Sequence, residues 1–136
     1  MTSIRTLYIG QKQFFQAITR VLQSSKDIEL LDCATHKNSP MQLCHEQKPH
    51  LILLEVADEP HSLIPLIREL RRHCPQPRII IFATSVDVEQ VRLLLQNGVN
   101  GYLLKPFALE GLETTIRLVN SGNLALSPEI TRALFA

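Results

Sequence analysis

The stretch His50-Leu51-Ile52-Leu53-Leu54-Glu55-Val56 decides the fold. Four consecutive apolar residues stand between Pro49 and a polar loop. A short unbroken apolar run of this kind suits a strand covered on both faces, as in a parallel sheet. Arg78 to Ala83 repeats the pattern with Ile79, Ile80, Ile81 and Phe82. Outward from these two strands the hydrophobic period switches repeatedly between strand and helix. Thr6 to Ile9, Ile28 to Ala34 and Gly101 to Leu104 read as three further strands. Between them lie helical stripes. Phe14, Phe15, Ile18, Val21 and Leu22 form the first. Leu63, Ile64, Ile67 and Leu70 form the third, Val88, Val91, Leu94 and Leu95 the fourth, and Leu109, Leu112, Ile116 and Val119 the last.

The punctuation agrees with this division. Ser39-Pro40 opens the second helix, with Ser as N-cap and Pro at the first helical position. Pro65 belongs in the first turn of the third helix, since deeper it would remove a hydrogen bond. Asn97-Gly98 and Ser121-Gly122 stop the fourth and fifth helices. Five strands alternating with five helices predict βαβ units, a parallel sheet and right-handed crossovers. Residues 1–122 carry the domain. Residues 123–136 read as a C-terminal tail or linker, in which Ser127-Pro128, Ile130 and Leu134 suggest a helix.

Composition narrows the function. The chain has 136 residues, a formal net charge of +1 and 20% charged residues. That balance lacks the clustered excess of Lys and Arg that nucleic-acid binding needs. The basic knot from Arg68 to His73 reads as the wet face and end of a helix. No apolar run is long enough to span a bilayer, and none at the N-terminus suits a signal peptide. Cys33, Cys44 and Cys74 are widely spaced, with no CxxC, so neither a disulfide framework nor a zinc site is expected. A reducing cytoplasm is the simplest compartment. No cofactor or metal is expected, since there is no glycine-rich phosphate loop, nucleophile elbow or metal motif.

In open parallel α/β sheets ligands bind at the carboxyl ends of the strands, where strand order switches. Those ends carry Gly10 and Gln11, Glu55, Ala83 and Thr84, and Lys105-Pro106.

Three motifs resemble the receiver domain of bacterial response regulators, in particular the NarL/FixJ class. They are Lys48-Pro49-His50-Leu51-Ile52-Leu53-Leu54-Glu55, the block from Asn97 to Phe107 containing Gly101-Tyr102-Leu103-Leu104-Lys105-Pro106, and the segment Ser121 to Pro128. The resemblance implies a flavodoxin-like (CheY-like) doubly wound five-stranded parallel sheet of strand order 2-1-3-4-5. The third motif resembles the junction from receiver to a helix-turn-helix output domain, and no such domain follows in this chain. Receivers take a phosphoryl group onto an aspartate ending strand three. Two acidic residues after strand one help hold Mg²⁺. A Ser or Thr ending strand four and a Lys ending strand five bind the phosphoryl oxygens.

Carried over by motif, the phosphoacceptor position is Glu55, the acidic pair is Gly10 and Gln11, and the hydroxyl position is Ala83, with Thr84 next to it. Lys105 is retained with Pro106, and the resemblance implies a cis bond between them. The site therefore reads as degenerate. Glu55, one methylene longer than Asp, either reaches Lys105 and imitates a phosphorylated aspartate or ends its strand as a solvated carboxylate. Tyr102 falls on the aromatic switch position, with an inward ring expected. Asp58, Glu59, Asp87 and Glu89 read as solvated loop acids. The candidate interaction face comprises Arg92, Gln96, Asn97, Glu110 and Arg117. NarL/FixJ-like receivers also dimerise through helices one and five.

The leading expectation is a phosphorylation-independent, non-enzymatic receiver-like domain in transcription control. Its partner would be a protein or a second copy of itself, with DNA reached only through an absent output domain and no membrane involved. The alternatives are a small-molecule-sensing pseudo-receiver, a conventional phosphoacceptor with an unusual carboxylate, and, last, an enzyme of flavodoxin-like architecture.

Overall fold

The computed structural model describes residues 3–34, 40–56, 63–105 and 107–136. In chain order these form β1 (Ile4–Ile9), α1 (Lys12–Leu22), β2 (Ile28–Ala34), α2 (Pro40–Gln47), β3 (Leu51–Glu55) and α3 (Leu63–His73). They continue as β4 (Arg78–Ala83), α4 (Val88–Gln96), β5 (Gly101–Leu104), a 3₁₀ turn (Phe107–Leu109), α5 (Leu112–Asn120), β6 (Ala125–Leu126) and α6 (Pro128–Leu134). The sheet is parallel in every pairing, with order β2-β1-β3-β4-β5-β6. This is the flavodoxin-like fold, with the order reversing at β1 between β2 and β3.

The two central strands behave as their apolar runs require. All of β3 and all but the first residue of β4 are buried. Alternate residues enter opposite layers. Leu7, Ile9, Ile52, Leu54, Ile79, Ile81 and Tyr102 pack with α3, α4 and α6. Tyr8, Leu51, Leu53, Ile80, Phe82 and Leu103 pack with α1 and α5. The outer strand β2 is only half-covered. Pro65 sits in the first turn of α3, and Leu109 in the 3₁₀ turn preceding α5. The Ser39 cap and the loop acids Asp58 and Glu59 lie outside the described residues.

A sixth strand exceeds the five expected. α5 ends in a turn where Gly122 (φ 101°) sends the chain back along the sheet. Asn123 N–H donates to Leu118 O at 3.0 Å and Gly122 N–H to Val119 O at 3.0 Å, which closes a Schellman motif. Ala125 and Leu126 then pair with Gly101 and Tyr102. From there α6 packs inward through Ile130, which is fully buried. Two residues give no periodicity to read, so only the pairing reveals the strand.

The basic knot on α3 also differs from expectation at one position. Arg68, Arg72 and His73 are exposed, but Arg71 is half-buried. Its guanidinium donates to Pro77 O and Gly98 O, each at 2.5 Å, and to Pro75 O at 3.2 Å. It ties the end of α3 to the loop before β5, so it is a fastening rather than a wet surface charge.

Candidate functional site

The carboxyl ends of β1, β3, β4 and β5 enclose a crevice of about 310 Å³. Gln11, Glu55, Ala83, Thr84, Tyr102 and Lys105 all line it, so the structure brings these residues together. Gly10 lies against Glu55. Pro106, and with it the Lys105-Pro106 bond, is outside the described residues.

Glu55 is the centre of the arrangement and is 6% exposed. Its Oε1 accepts from the Tyr8 hydroxyl at 2.6 Å and from the Gln11 backbone N–H at 2.8 Å. Its Oε2 accepts from Lys105 Nζ at 2.5 Å. The ion pair with Lys105 is thus short and part-buried, with the carboxylate itself buried. Burial pushes the Glu55 carboxyl up. The hydrogen bonds from Lys105, Tyr8 and Gln11, with the lysine charge, outweigh it and hold the group below the usual carboxylate value. The same contacts raise the Tyr8 hydroxyl: burial contributes most, then the hydrogen bond to Glu55 and its charge.

Two aromatic residues complete the site: Tyr8, which the sequence does not single out, and Phe14, which the sequence pattern assigns with Phe15 to core and helix packing. Tyr8 stands on β1 opposite Leu53, two residues before Gly10, and so shares the face of Gly10 and Glu55. Parity along the strand was the signal available, but a buried aromatic on a central strand reads as core. Phe14, on the first turn of α1, packs edge-on against Phe82 with centroids 5.1 Å apart. Lys105 Nζ lies 4.7 Å from the Phe14 ring centroid. The ring stabilises the lysine by a cation–π contact.

Gly10 is required by close approach. A Cβ there would lie 2.6 Å from Glu55 Cβ and 2.7 Å from Glu55 Oε1, and would also collide with the Tyr8 hydroxyl. An acidic side chain at this position has no room. The residues present do not fit a divalent cation: hard Mg²⁺ takes several oxygen ligands, and the carboxylate here already faces an ammonium, a phenol and a peptide N–H.

On the rim, Thr84 is exposed and Asp87 caps α4, accepting from Gln90 N–H at 3.2 Å. Glu89 is exposed and lies 4.0 Å from Arg92. Tyr102 is inward, 1% exposed. Burial, then the charge of Asp87, raises its hydroxyl. The five residues of the candidate interaction face do not form one free patch. Arg92 and Gln96 are exposed on α4. Asn97 is turned back on its own helix, donating to Leu93 O at 2.7 Å. Glu110 is exposed before α5, and Arg117 is held by Asp27 in a two-pronged pair at 2.7 and 3.0 Å. The β5 edge between these groups is occupied by β6.

A family model for the response regulator receiver domain matches residues 11–117. The chain belongs to the response regulator receiver family. This receiver is 22% identical over 129 residues to the response regulator protein VraR of Staphylococcus epidermidis, covering 94% of the chain and 62% of VraR. It therefore spans less than two thirds of the length of that relative. Among solved structures, a LuxR-family two-component response regulator from Aurantimonas sp. SI85-9A1 superposes with a TM-score of 0.86 at 18% identity, covering 98% of this chain and 96% of that one. The RcsB response regulator of Salmonella typhimurium, solved in a study of its DNA interaction, gives 0.85 at 14% identity, covering 98% and 70%. At such identities these structures share the fold. Receivers are signalling domains, and RcsB, which shares this fold, has also been solved as a complex with DNA. No described helix is long and apolar enough to cross a membrane.

Proposed function

We infer that this receiver is degenerate and signals without being phosphorylated at the usual position. One observation carries the reading: Glu55 is held at once by Tyr8, Gln11 and Lys105, beside a glycine whose Cβ would collide with that cluster. A phosphoryl group arriving at Glu55 would have to break its pair with Lys105, and neither Gly10 nor Gln11 supplies a carboxylate to help hold a neutralising metal. The built-in pair instead places a negative group against Lys105 permanently.

The output then passes through protein contacts, either with a partner or between two copies of the chain, in cytoplasmic transcription control. The receiver unit, expected over residues 1–122, extends through β6 and α6, and residues 123–136 also lead toward an output domain. Support for this route comes from β5, whose far end carries Lys105. Ser127 Oγ accepts from Leu104 N–H at 2.9 Å, and Ser127 N–H donates to Tyr102 O at 3.1 Å, so the exit segment is fastened to the strand that bears the site lysine and Tyr102, the switch position.

The test is an amide NMR titration with Mg²⁺ followed by beryllofluoride. The expected result is no shift at Glu55, Ala83 or Lys105. Saturable shifts there, spreading to Tyr102 and α4, would overturn the reading. The crevice itself favours a second role, sensing a small molecule, because its lining is largely neutral and polar. Stabilisation against heat by a cytoplasmic metabolite would reveal it.

A further inference from the structure

The opposite end of the sheet holds a second and larger cavity, of about 400 Å³, where β3 and β4 begin. Pockets of this size hold small organic ligands. Its inner wall is apolar, with Cys44, Pro49, Cys74 and Pro77 all buried. Its remaining lining includes five basic side chains, His45, Lys48, His50, His73 and Arg78, and no aspartate or glutamate.

Basic residues at this end of an α/β fold have an ordinary explanation. α2 and α3 end here, and helix C-termini attract cations. Other groups already meet that demand. The Arg5 guanidinium donates to Gln47 O, at the end of α2, and Arg71 donates to Pro75 O and Pro77 O, just beyond α3. Lys48 N–H and Cys74 N–H close the last turns on Cys44 O at 3.0 Å and Leu70 O at 2.7 Å. The side chains of Lys48 and Arg78 make no hydrogen bond or ion pair among the described residues.

A third donor is fixed between them. His50 Nδ1 accepts from the Arg5 backbone N–H at 2.9 Å, which places the ring proton on Nε2. Arg78 N–H donates to His50 O at 3.0 Å, so the two residues are held side by side. An apolar wall faced by two cations without partners among the described residues and one oriented N–H donor is a recognition surface for a compact molecule with negatively charged oxygens.

We propose that this cavity binds a small organic anion bearing at least two carboxylate or phosphate groups, held by Lys48, Arg78 and His50. The site is separate from the Glu55 crevice and does not depend on whether that crevice is silent.

The experiment is an amide NMR titration of the chain at constant ionic strength with citrate, with pyrophosphate and with uncharged triethyl citrate. Saturable shifts confined to residues 44–50 and 73–79 are expected with one or both anions, and the two arms separate a carboxylate from a phosphate ligand. Lys48→Asn suits the left-handed backbone at this position (φ 49°), and Arg78→Gln keeps a polar side chain of similar reach. Each variant should weaken binding roughly tenfold, the loss of one charged hydrogen bond. Unchanged amides around Glu55 and Lys105 show that each variant is folded. The proposal fails if shifts stay linear to about 20 mM, far weaker than specific binding. It fails equally if triethyl citrate shifts the same amides, or if both variants bind as tightly as the parent chain.

Discussion

Replacing Glu55 by Gln perturbs the crevice with almost no change of shape. Gln keeps one oxygen for the Tyr8 hydroxyl and the Gln11 N–H. It turns both from charged into neutral hydrogen bonds, a loss of about 1 kcal/mol each. Its Nε2 then meets Lys105 donor to donor, and a contact worth about 1.5–3 kcal/mol disappears. Lys105 is 20% exposed and swings toward water, so no stranded buried charge is added. Relief of carboxylate burial, the largest single influence on Glu55, offsets part of the loss. The balance is a destabilisation of about 2–3 kcal/mol near pH 7. At a urea m-value of about 1.5–2 kcal/mol/M the midpoint falls by about 1–2 M. The effect has a pH signature. Glu55 is depressed when folded, so its contribution is fully present above the unfolded value of 4.5 and is lost as pH falls through the lower folded value. Urea midpoints of the two proteins must therefore converge in acid. Amide spectra at neutral pH should shift through β4, α4 and β5. A difference below about 0.5 kcal/mol at pH 7, the range of ordinary surface substitutions, with unmoved amides in those elements, would refute the role given to the pair. So would a difference that does not narrow in acid.

Other consequences follow from the same geometry. Gly10→Ala forces a Cβ into the space held by Glu55 and Tyr8 and should cost about 1–3 kcal/mol by overpacking; Tyr8→Phe in the same chain, which removes the hydroxyl, should recover part of it, as read by urea midpoints. Tyr8 and Tyr102 are both raised when folded, so the stability they contribute is present below their unfolded value of 10.0 and is lost as pH rises beyond it. The double variant Tyr8→Phe/Tyr102→Phe should flatten that alkaline loss above about pH 10. Ile130→Ala empties a fully buried position on α6 and should cost about 2–4 kcal/mol, with faster hydrogen exchange concentrated at Ala125 and Leu126; uniform exchange across the sheet would show instead that the exit segment is not a separable unit.

What could be read from the sequence depended on how much of each element's burial is written in its own residues. β3 and β4 are covered on both faces, so Leu51–Leu54 and Ile79–Phe82 announce themselves without reference to any partner. β6 has no pattern of its own; it exists because Gly122 turns the chain and the β5 edge accepts it. The strand-end residues Glu55, Ala83 and Lys105 were legible because the fold dictates where a crevice opens. Tyr8 and Phe14 were not, because an aromatic ring serves a core with its body while its tip or face serves a site. Arg71 was missed for a related reason: its stem follows the helix like that of any surface arginine, and only the converging carbonyls of Pro75, Pro77 and Gly98 make it structural.

Tyr8, Gly10 and Glu55 depend on one another geometrically. The longer side chain of Glu55 brings its Oε1 to the Tyr8 hydroxyl and the Gln11 N–H while its Oε2 keeps Lys105. That position of Oε1 is within 2.7 Å of where a Cβ at Gly10 would stand, so the glycine is the condition of the carboxylate's reach. Tyr8 in turn supplies a hydrogen bond that a buried carboxylate oxygen needs. An aspartate placed at Gly10 alone would meet both the phenol and the carboxylate, and the two like charges would raise one another's pKa. A larger side chain at Gly10 therefore fits without strain only if Tyr8 and Glu55 change with it, because each occupies space or satisfies a polar group that the others depend on.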